Sequence, residues 1–478
     1  MFLATERVPL FDYLRVPYRI VGSAALSPSS AVPDGYLRIA RESEADAVAL
    51  AWPSRHAFPD ARAELAAYRL GKVPLFARVT GADAAPGDCA SPGSRIMAVL
   101  DASGQEVSWI RRTPDGTVVL PFDPAEAMEA CSSEGYLAAT HGSRPITAIA
   151  RRAYYRLRPV MPRSLQIALR RRYSRIQART EFPRWPAEPA LHDLIALLYR
   201  LLSDVAGEPV PWIAPWPRPH DWAMVLTHDV ETAEGYRAIG SLRVAEEAAG
   251  YRSSWNFVPR RYTVEPAMVR ELRDAGFEVG LHGLYHDGRD LESATLLAAR
   301  LPEMRATAEQ WGAVGFRAPA TQRAPELIGM LPFEYDSSYP DTDPYEPQPG
   351  GCCSWLPFLM HGVVELPITL PQDHTLFIIL QQVDESTWLD KTRLLRSRGG
   401  MALLLTHPDY MDRPDRLAAY RRYLAAFADD PSVWRALPRE VSTWWKQRSA
   451  STIERDGSGW RIAGPAADAG AVLTTPPR

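Results

Sequence analysis

From Trp222 to about Ser449, short unbroken apolar runs alternate with longer stretches whose apolar residues recur at helical spacing. Ala223–Thr227, Ser254–Val258, Phe277–Leu281 and Met401–Leu405 read as buried strands. Shorter strands are expected at Gly315–Arg317, near Tyr335 and at Val363–Leu366, and helices near 238–249, 265–275, 290–312 and 415–428. Strands and helices alternating at these lengths imply a parallel sheet covered by helices. Titratable residues cluster just after the strands, as a barrel with its active site at the C-terminal face requires.

Outside that region the pattern changes. Residues 1–145 read as a separate N-terminal mixed α+β domain. Ile96–Leu100, Val107–Ile110 and Thr117–Leu120 are expected strands there, Pro114–Gly116 a turn, and 43–51 and 61–69 amphipathic helices. His56 and His141 stand alone and read as surface or capping residues. Residues 146–219 form a connector, with eleven arginines and one acid, Glu181, between Arg151 and Arg184. Leu165, Ile167, Leu169 and Tyr173 supply an apolar side for a helix that also carries Arg170, Arg171 and Arg172. Such a segment suits an anionic membrane surface or an acidic glycan; the plainer reading is a solvated arm paired to an acidic neighbouring domain. A helix over Leu191–Val205 follows, then the proline- and tryptophan-rich stretch Pro209–Pro219. Residues 220–448 make the barrel, and 449–478 a peripheral tail with a short hairpin around Trp460.

The 478 residues suffice for two or three domains, and 46% hydrophobic with 23% charged residues is ordinary globular composition. A net charge of -3 argues against a nucleic-acid-binding chain. The four cysteines, Cys89, Cys131, Cys352 and Cys353, show no CxxC spacing and fit a reducing compartment. The first residues interrupt any apolar run with acids and prolines, unlike a signal peptide, and no stretch approaches the roughly 20 apolar residues of a membrane span. The expectation is a cytoplasmic protein whose Arg-rich segment 151–184 offers peripheral contact with the inner membrane face.

The chemistry concentrates at strand ends. His282 and His286, four apart in Val279–His286, sit where two imidazoles on one face of a helical turn can grip a metal ion. Asp229 and Glu231 flank Val230, so alternation along the strand sends both carboxylates to one side. Two carboxylates there repel unless a cation or proton lies between them. A metal resolves this, with one carboxylate as ligand and the other accepting a proton from water. Two histidines and a carboxylate leave positions open for water and substrate. His407, after Met401–Leu405, is placed to act as general acid, with Asp409 or another acid orienting it. Arg317 is placed to orient Asp229, and Asp336 to bridge to that arginine. His374 is expected to line a substrate pocket, and His228 to point away from Asp229 into supporting structure.

The ordered set resembles the polysaccharide deacetylases of the NodB-homology group, carbohydrate esterase family 4: an acidic strand end, HxxxH, an RxP turn, the Asp-containing turn Tyr335–Tyr339 and a late strand ending in His407. The resemblance spans roughly residues 220–448. It implies a distorted (β/α) barrel, a divalent metal, most commonly zinc, and hydrolysis of an acetamido or related C–N bond on an amino sugar or glycan. It also implies Asp229 as catalytic base, His407 as catalytic acid and Arg317 as orienting residue. His282, His286 and Glu231 would be the metal ligands, and Asp336, Tyr339 and His374 substrate contacts. The first motif, Thr227-His-Asp-Val-Glu231, departs from the family's usual adjacent aspartates, and Ala320 stands where an aromatic often follows RxP. Hydrolysis of an O-acetyl ester or a non-sugar amide, or a glycan-binding barrel without catalysis, are the alternatives.

Overall fold

A computed structural model describes residues 1–22, 26, 32, 35–44, 48–54, 64–81, 94–140, 163–457 and 459–477. His56, Cys89, His141 and the arginines before Arg163 lie outside the described residues. The chain divides into two compact units. One comprises Met1–Arg144, Pro189–Ala214 and Gln447–Arg478, the other Pro145–Glu188 and Pro215–Lys446.

The first unit is built on a nine-stranded sheet ordered Tyr18–Ile20, Phe2–Ala4, Tyr36–Arg41, Val48–Pro53, Val118–Val119, Glu106–Arg112, Arg95–Leu100, Ala66–Leu70 and Val73–Ala77. The helix Ala190–Ala206 buries Leu191, Leu194, Ile195, Leu198 and Leu202 and ends at Gly207 in the left-handed conformation. Three expected strands fall at Arg95–Leu100, Glu106–Arg112 and Val118–Val119. The two expected helices do not form. Among the described residues only the short turn Glu42–Glu44 is helical near the first; Val48–Pro53 is a strand, paired with Tyr36–Arg41 on one side and Val118–Val119 on the other. Ala66–Leu70 is likewise a strand, hydrogen-bonded to Val73–Ala77. Alanines that favour helix in isolation here sit in hydrogen-bonded strands, so strand pairing overrides local preference. The tail forms the hairpin Thr452–Asp456 with Gly459–Ala463.

The second unit is a mixed α/β fold around a sheet curled into a half-barrel. Its strands run Phe358–Met360, Val363–Glu365, Tyr335–Asp336, Gly315–Arg317, Glu278–His282, Ser253–Phe257, Trp222–Val230 and Met401–Thr406, and Val433–Arg435 also pairs with Trp222–Val230. Every pairing is parallel except the first. Trp222–Val230 is buried at all nine positions, which is why its first five residues, Trp222–Leu226, read as a continuous apolar run. The curl brings the chain after Val363–Glu365 back to Met401–Thr406, where Leu370 N–H donates to the Leu403 carbonyl at 3.0 Å. Its helices include Arg163–Gln177, Ala233–Ala248, Pro266–Asp274, Ala294–Trp311, Ser386–Ser397 and Pro414–Ala425; Ser386–Ser397 is not apparent in the sequence pattern. Gly315 must lack a side chain: a Cβ there would lie 1.9 Å from Cζ of Tyr335.

The parallel register sets side chains abreast at the C-terminal ends. Asp229 is level with Asn256, and His282 with Arg317. Cys131, Cys352 and Cys353 are buried. Among the described residues no helix is long and apolar enough to cross a membrane.

Candidate active site

At the end of its strand, Asp229 is 2% exposed, and one of its oxygens is fully committed. Oδ1 accepts from Asn256 Nδ2 at 2.9 Å and from Arg317 Nη1 at 3.2 Å. Oδ2 faces His282 Nδ1 at 3.7 Å. Burial alone would push this carboxyl up, but His282, Arg317 and His407 outweigh it and hold Asp229 below the ordinary carboxylate range.

Arg317 is itself fixed on all sides. Its Nε donates to the Ser337 carbonyl at 2.7 Å, Nη2 to Ser337 Oγ at 2.8 Å and Nη1 to Thr227 Oγ1 at 2.9 Å. The expected bridge from Asp336 to this arginine is therefore replaced by a serine clamp. Asp336 instead accepts from Ser338 Oγ at 2.6 Å, in register with Glu365 on the next strand.

Glu231, just past the strand, turns into a ring of imidazoles. Its Oε1 lies 2.9 Å from His286 Nε2, 3.5 Å from His407 Nε2 and 3.8 Å from His282 Nε2. Burial opposes its ionisation, but His286, His282 and His407 hold it well below the usual value. Ligand atoms of Glu231, His282 and His286 all lie within 4.8 Å of one another. His282 Nε2 is shielded from solvent and finds no hydrogen-bond partner among the described residues, and the 2.9 Å approach of His286 Nε2 to Glu231 Oε1 is an ion-pair contact without hydrogen-bond geometry. His282 Nδ1 sits 3.1 Å from the Arg317 carbonyl, which can only accept. Its proton therefore resides on Nδ1 and the lone pair on Nε2, the form a metal-binding histidine needs. His286 is differently poised: Arg261 Nη1 donates to its Nδ1 at 2.6 Å. To offer a lone pair at Nε2, His286 must carry its proton on Nδ1, so that contact has to give way. With this adjustment the donor set suits a divalent ion.

The two histidines do not share a helical turn as the spacing suggests. Gly283 and His286 both adopt left-handed φ, 61° and 57°, in an irregular loop before the helix Ala294–Trp311. A Cβ at Gly283 would meet Asp290 Oδ2 at 2.5 Å. The loop brings the rings to 5.0 Å, edge to face.

His407 is oriented by Asp373 rather than Asp409. Its Nδ1 lies 2.7 Å from Asp373 Oδ1, and its backbone N–H donates to Asp373 Oδ2 at 2.7 Å. Asp409 sits instead beside Thr232, its Oδ2 3.4 Å from the hydroxyl. Burial works against a charge on His407, but Asp373 and Glu231 prevail and hold the imidazole well above its ordinary value. His374 is partly exposed and packs on Tyr410 at 5.2 Å; Tyr410 in turn meets His407 at 5.3 Å. Asp336 and Tyr339, read from the sequence as substrate contacts, are both wholly buried. His228 points away, its Nε2 2.6 Å from Glu246 Oε1 and its ring stacked on Trp255.

Asn256, Asp373 and Arg261 are the site residues that sequence reasoning passes over. Asp373 carried a signal, since it follows a strand beside a histidine; Asn256 sits unremarked within Ser253–Phe257.

No family model and no curated protein sequence matches the chain. Among solved structures, one assigned as a polysaccharide deacetylase from Mycobacterium smegmatis aligns at 18% identity and a TM-score of 0.40, covering 52% of this chain and 98% of its own. The Puue allantoinase aligns at 17% and 0.40, covering 49% of this chain and 93% of its own. A family 4 carbohydrate esterase from Streptomyces lividans, in complex with acetate, aligns at 18% and 0.27, covering 44% and 90%.

Proposed function

We propose that the protein is a metal-dependent hydrolase that removes an acyl group, foremost acetyl, from the nitrogen of an amino sugar or glycan. The observation that carries this is the convergence on one strand-end face of three groups. These are the Glu231, His282 and His286 donor set, an Asp229 carboxylate with one oxygen left over, and an Asp373-paired His407. Glu231, His282 and His286 would hold the ion, with zinc the first candidate. Bound there, such an ion lowers the pKa of a water and polarises the acyl oxygen.

The residues divide the proton work. Arg317 and Asn256 occupy Asp229 Oδ1, leaving Oδ2 to take the proton from the attacking water. His407 donates through Nδ1 to Asp373 and presents Nε2 toward the reaction centre, where it delivers a proton to the departing amine. The serine clamp on Arg317 keeps the base fixed while charge moves.

The test is metal removal and return. Purified protein should contain about one divalent ion per chain, lose hydrolysis of N-acetylated amino-sugar oligomers on chelation, and regain it with zinc. Full activity in chelated, metal-free protein refutes the proposal. O-acetylated sugars and small non-sugar amides, assayed at the same metal loading, distinguish the substrate class.

A further inference from the structure

The helix Arg163–Gln177 is inside out. Its polar side is the docked side: Arg170 Nη2 donates to the Tyr345 carbonyl at 2.7 Å, Arg171 Nε to the Ile378 carbonyl at 2.9 Å, and Gln177 Nε2 to the Pro344 carbonyl at 2.6 Å. Ser174, on the same side, is buried. Ile167, grouped with the other apolar residues by the sequence pattern, lies off the exposed face and is partly buried. What faces solvent is a stripe of Leu165, Leu169, Tyr173 and Ile176, 46%, 41%, 49% and 62% exposed. Their spacing of four, four and three residues follows the helical repeat, so they line one face over about 16 Å. Arg172 and Arg175 are exposed along one edge, and with Arg171 and Ile176 they border an open depression that also reaches Gln381.

We propose that this face seats the protein on an anionic phospholipid bilayer. A helix ordinarily turns its apolar side inward; here hydrogen bonds from arginine to loop carbonyls fix the opposite orientation, so the apolar stripe requires cover from outside. The charge of the segment, in which Arg172, Arg175 and Arg179 are exposed, selects the cover. Eleven arginines stand against one acid between Arg151 and Arg184, which matches a negatively charged surface. A second copy of the chain would set Arg172 and Arg175 against themselves across a twofold axis. A straight apolar stripe with a cationic edge suits the plane between headgroups and acyl chains. The helical segment His374–Ile379 that receives Arg171 starts next to Asp373, the partner of His407, so a glycan carried at a membrane surface would lie near the candidate site. The docking itself does not depend on the proposed chemistry.

The experiment is flotation of the full chain with vesicles of phosphatidylglycerol and phosphatidylcholine, against phosphatidylcholine alone. The protein should float with the anionic vesicles and remain behind with the neutral ones. The pairs Leu169→Glu with Ile176→Glu, and Arg172→Glu with Arg175→Glu, change only exposed positions. Each should lower the bound fraction by about tenfold or more while leaving the thermal melt unchanged. Absence of flotation with anionic vesicles overturns the proposal, as does flotation indifferent to both pairs. So does concentration-dependent self-association, or capture by an acidic protein, that the Leu169/Ile176 pair abolishes in a chain that never floats.

Discussion

Replacing Asn256 with alanine should move the acid limb of the pH–rate profile. Asn256 Nδ2 donates to Asp229 Oδ1 at 2.9 Å, and Asn256 is only 5% exposed, so the bond is sheltered from water. A hydrogen bond to an ionised group is worth about 1.5–3 kcal/mol. At 1.36 kcal/mol per pKa unit this corresponds to roughly 1–2 pH units. The sign follows from which form gains: only the carboxylate accepts from the amide, so the contact lowers the Asp229 pKa and its removal raises it. Arg317 remains at 3.2 Å, so Asp229 should stay largely ionised near neutrality. The loss of kcat/KM should therefore be greatest on the acid side. A carboxyl depressed in the fold adds stability above its unfolded pKa, and this is lost as pH falls through the folded value. The variant's stability deficit should accordingly shrink on acidification.

The assay is kcat/KM between about pH 4 and pH 8 on an N-acetylated amino-sugar oligomer at saturating metal. Asn256→Asp serves as the second variant. It keeps the acceptor for Ser254 Oγ at 3.2 Å while exchanging the donor for an oxygen, and should move the limb in the same direction. Both variants folded, active and titrating with the wild-type limb would refute the coupling between Asn256 and the base.

Arg261→Ala frees His286 Nδ1 to carry a proton, so zinc affinity measured by chelator competition should rise roughly three- to tenfold; weaker binding would show that the arginine assists the ligand. Glu231→Gln should abolish stoichiometric metal, while Asp229→Asn should retain metal and lose activity; the opposite pattern would exchange their roles. Glu278 is buried and pushed up to about 7, although Tyr335 OH and Arg439 N–H both donate to it. A carboxyl raised in the fold contributes stability below its unfolded pKa and loses it as pH rises through about 7, here about 3 kcal/mol. Urea midpoints at pH 5 and pH 8 should therefore differ more for wild type than for Glu278→Gln; equal differences would contradict this.

The half-barrel was legible because parallel strands are covered on both faces, so Trp222–Leu226 and Met401–Leu405 appear as unbroken apolar runs. The first unit was less so. Val48–Pro53 and Ala66–Leu70 each lean on one strand far along the chain, Val118–Val119 and Arg95–Leu100, and their alanine content hides the local pairings with Tyr36–Arg41 and Val73–Ala77. In the site, strand-end acids and histidines announce themselves because such groups are seldom buried without purpose. Asn256 does not, since a neutral amide inside Ser253–Phe257 has ordinary strand grammar and acquires meaning only through register with Asp229. The pairing of His407 with Asp373 rather than Asp409 depends on a chain segment 34 residues away, and spacing along the sequence cannot choose between the two acids.

The partners of Asp229 and Glu231 supply an argument about roles that their sequence spacing leaves open. Asp229 is already neutralised by a guanidinium and tied through Oδ1, so a second cation would gain comparatively little from binding to it. Glu231 has no guanidinium within ion-pairing range among the described residues; its close neighbours are imidazole nitrogens. Two of those nitrogens, on His282 and His286, are shielded from water; His282 Nε2 lacks any hydrogen bond, and His286 Nε2 meets Glu231 Oε1 at 2.9 Å without hydrogen-bond geometry, an arrangement that costs free energy until something satisfies them. An ion among Glu231, His282 and His286 would relieve the unmatched nitrogens and balance the carboxylate together. The same ion on Asp229 would compete with Arg317 and leave Glu231 uncompensated. In the proposed reaction electrostatics thus favours Glu231 as ligand and Asp229 as base, with Arg317 keeping the two carboxylates' tasks apart.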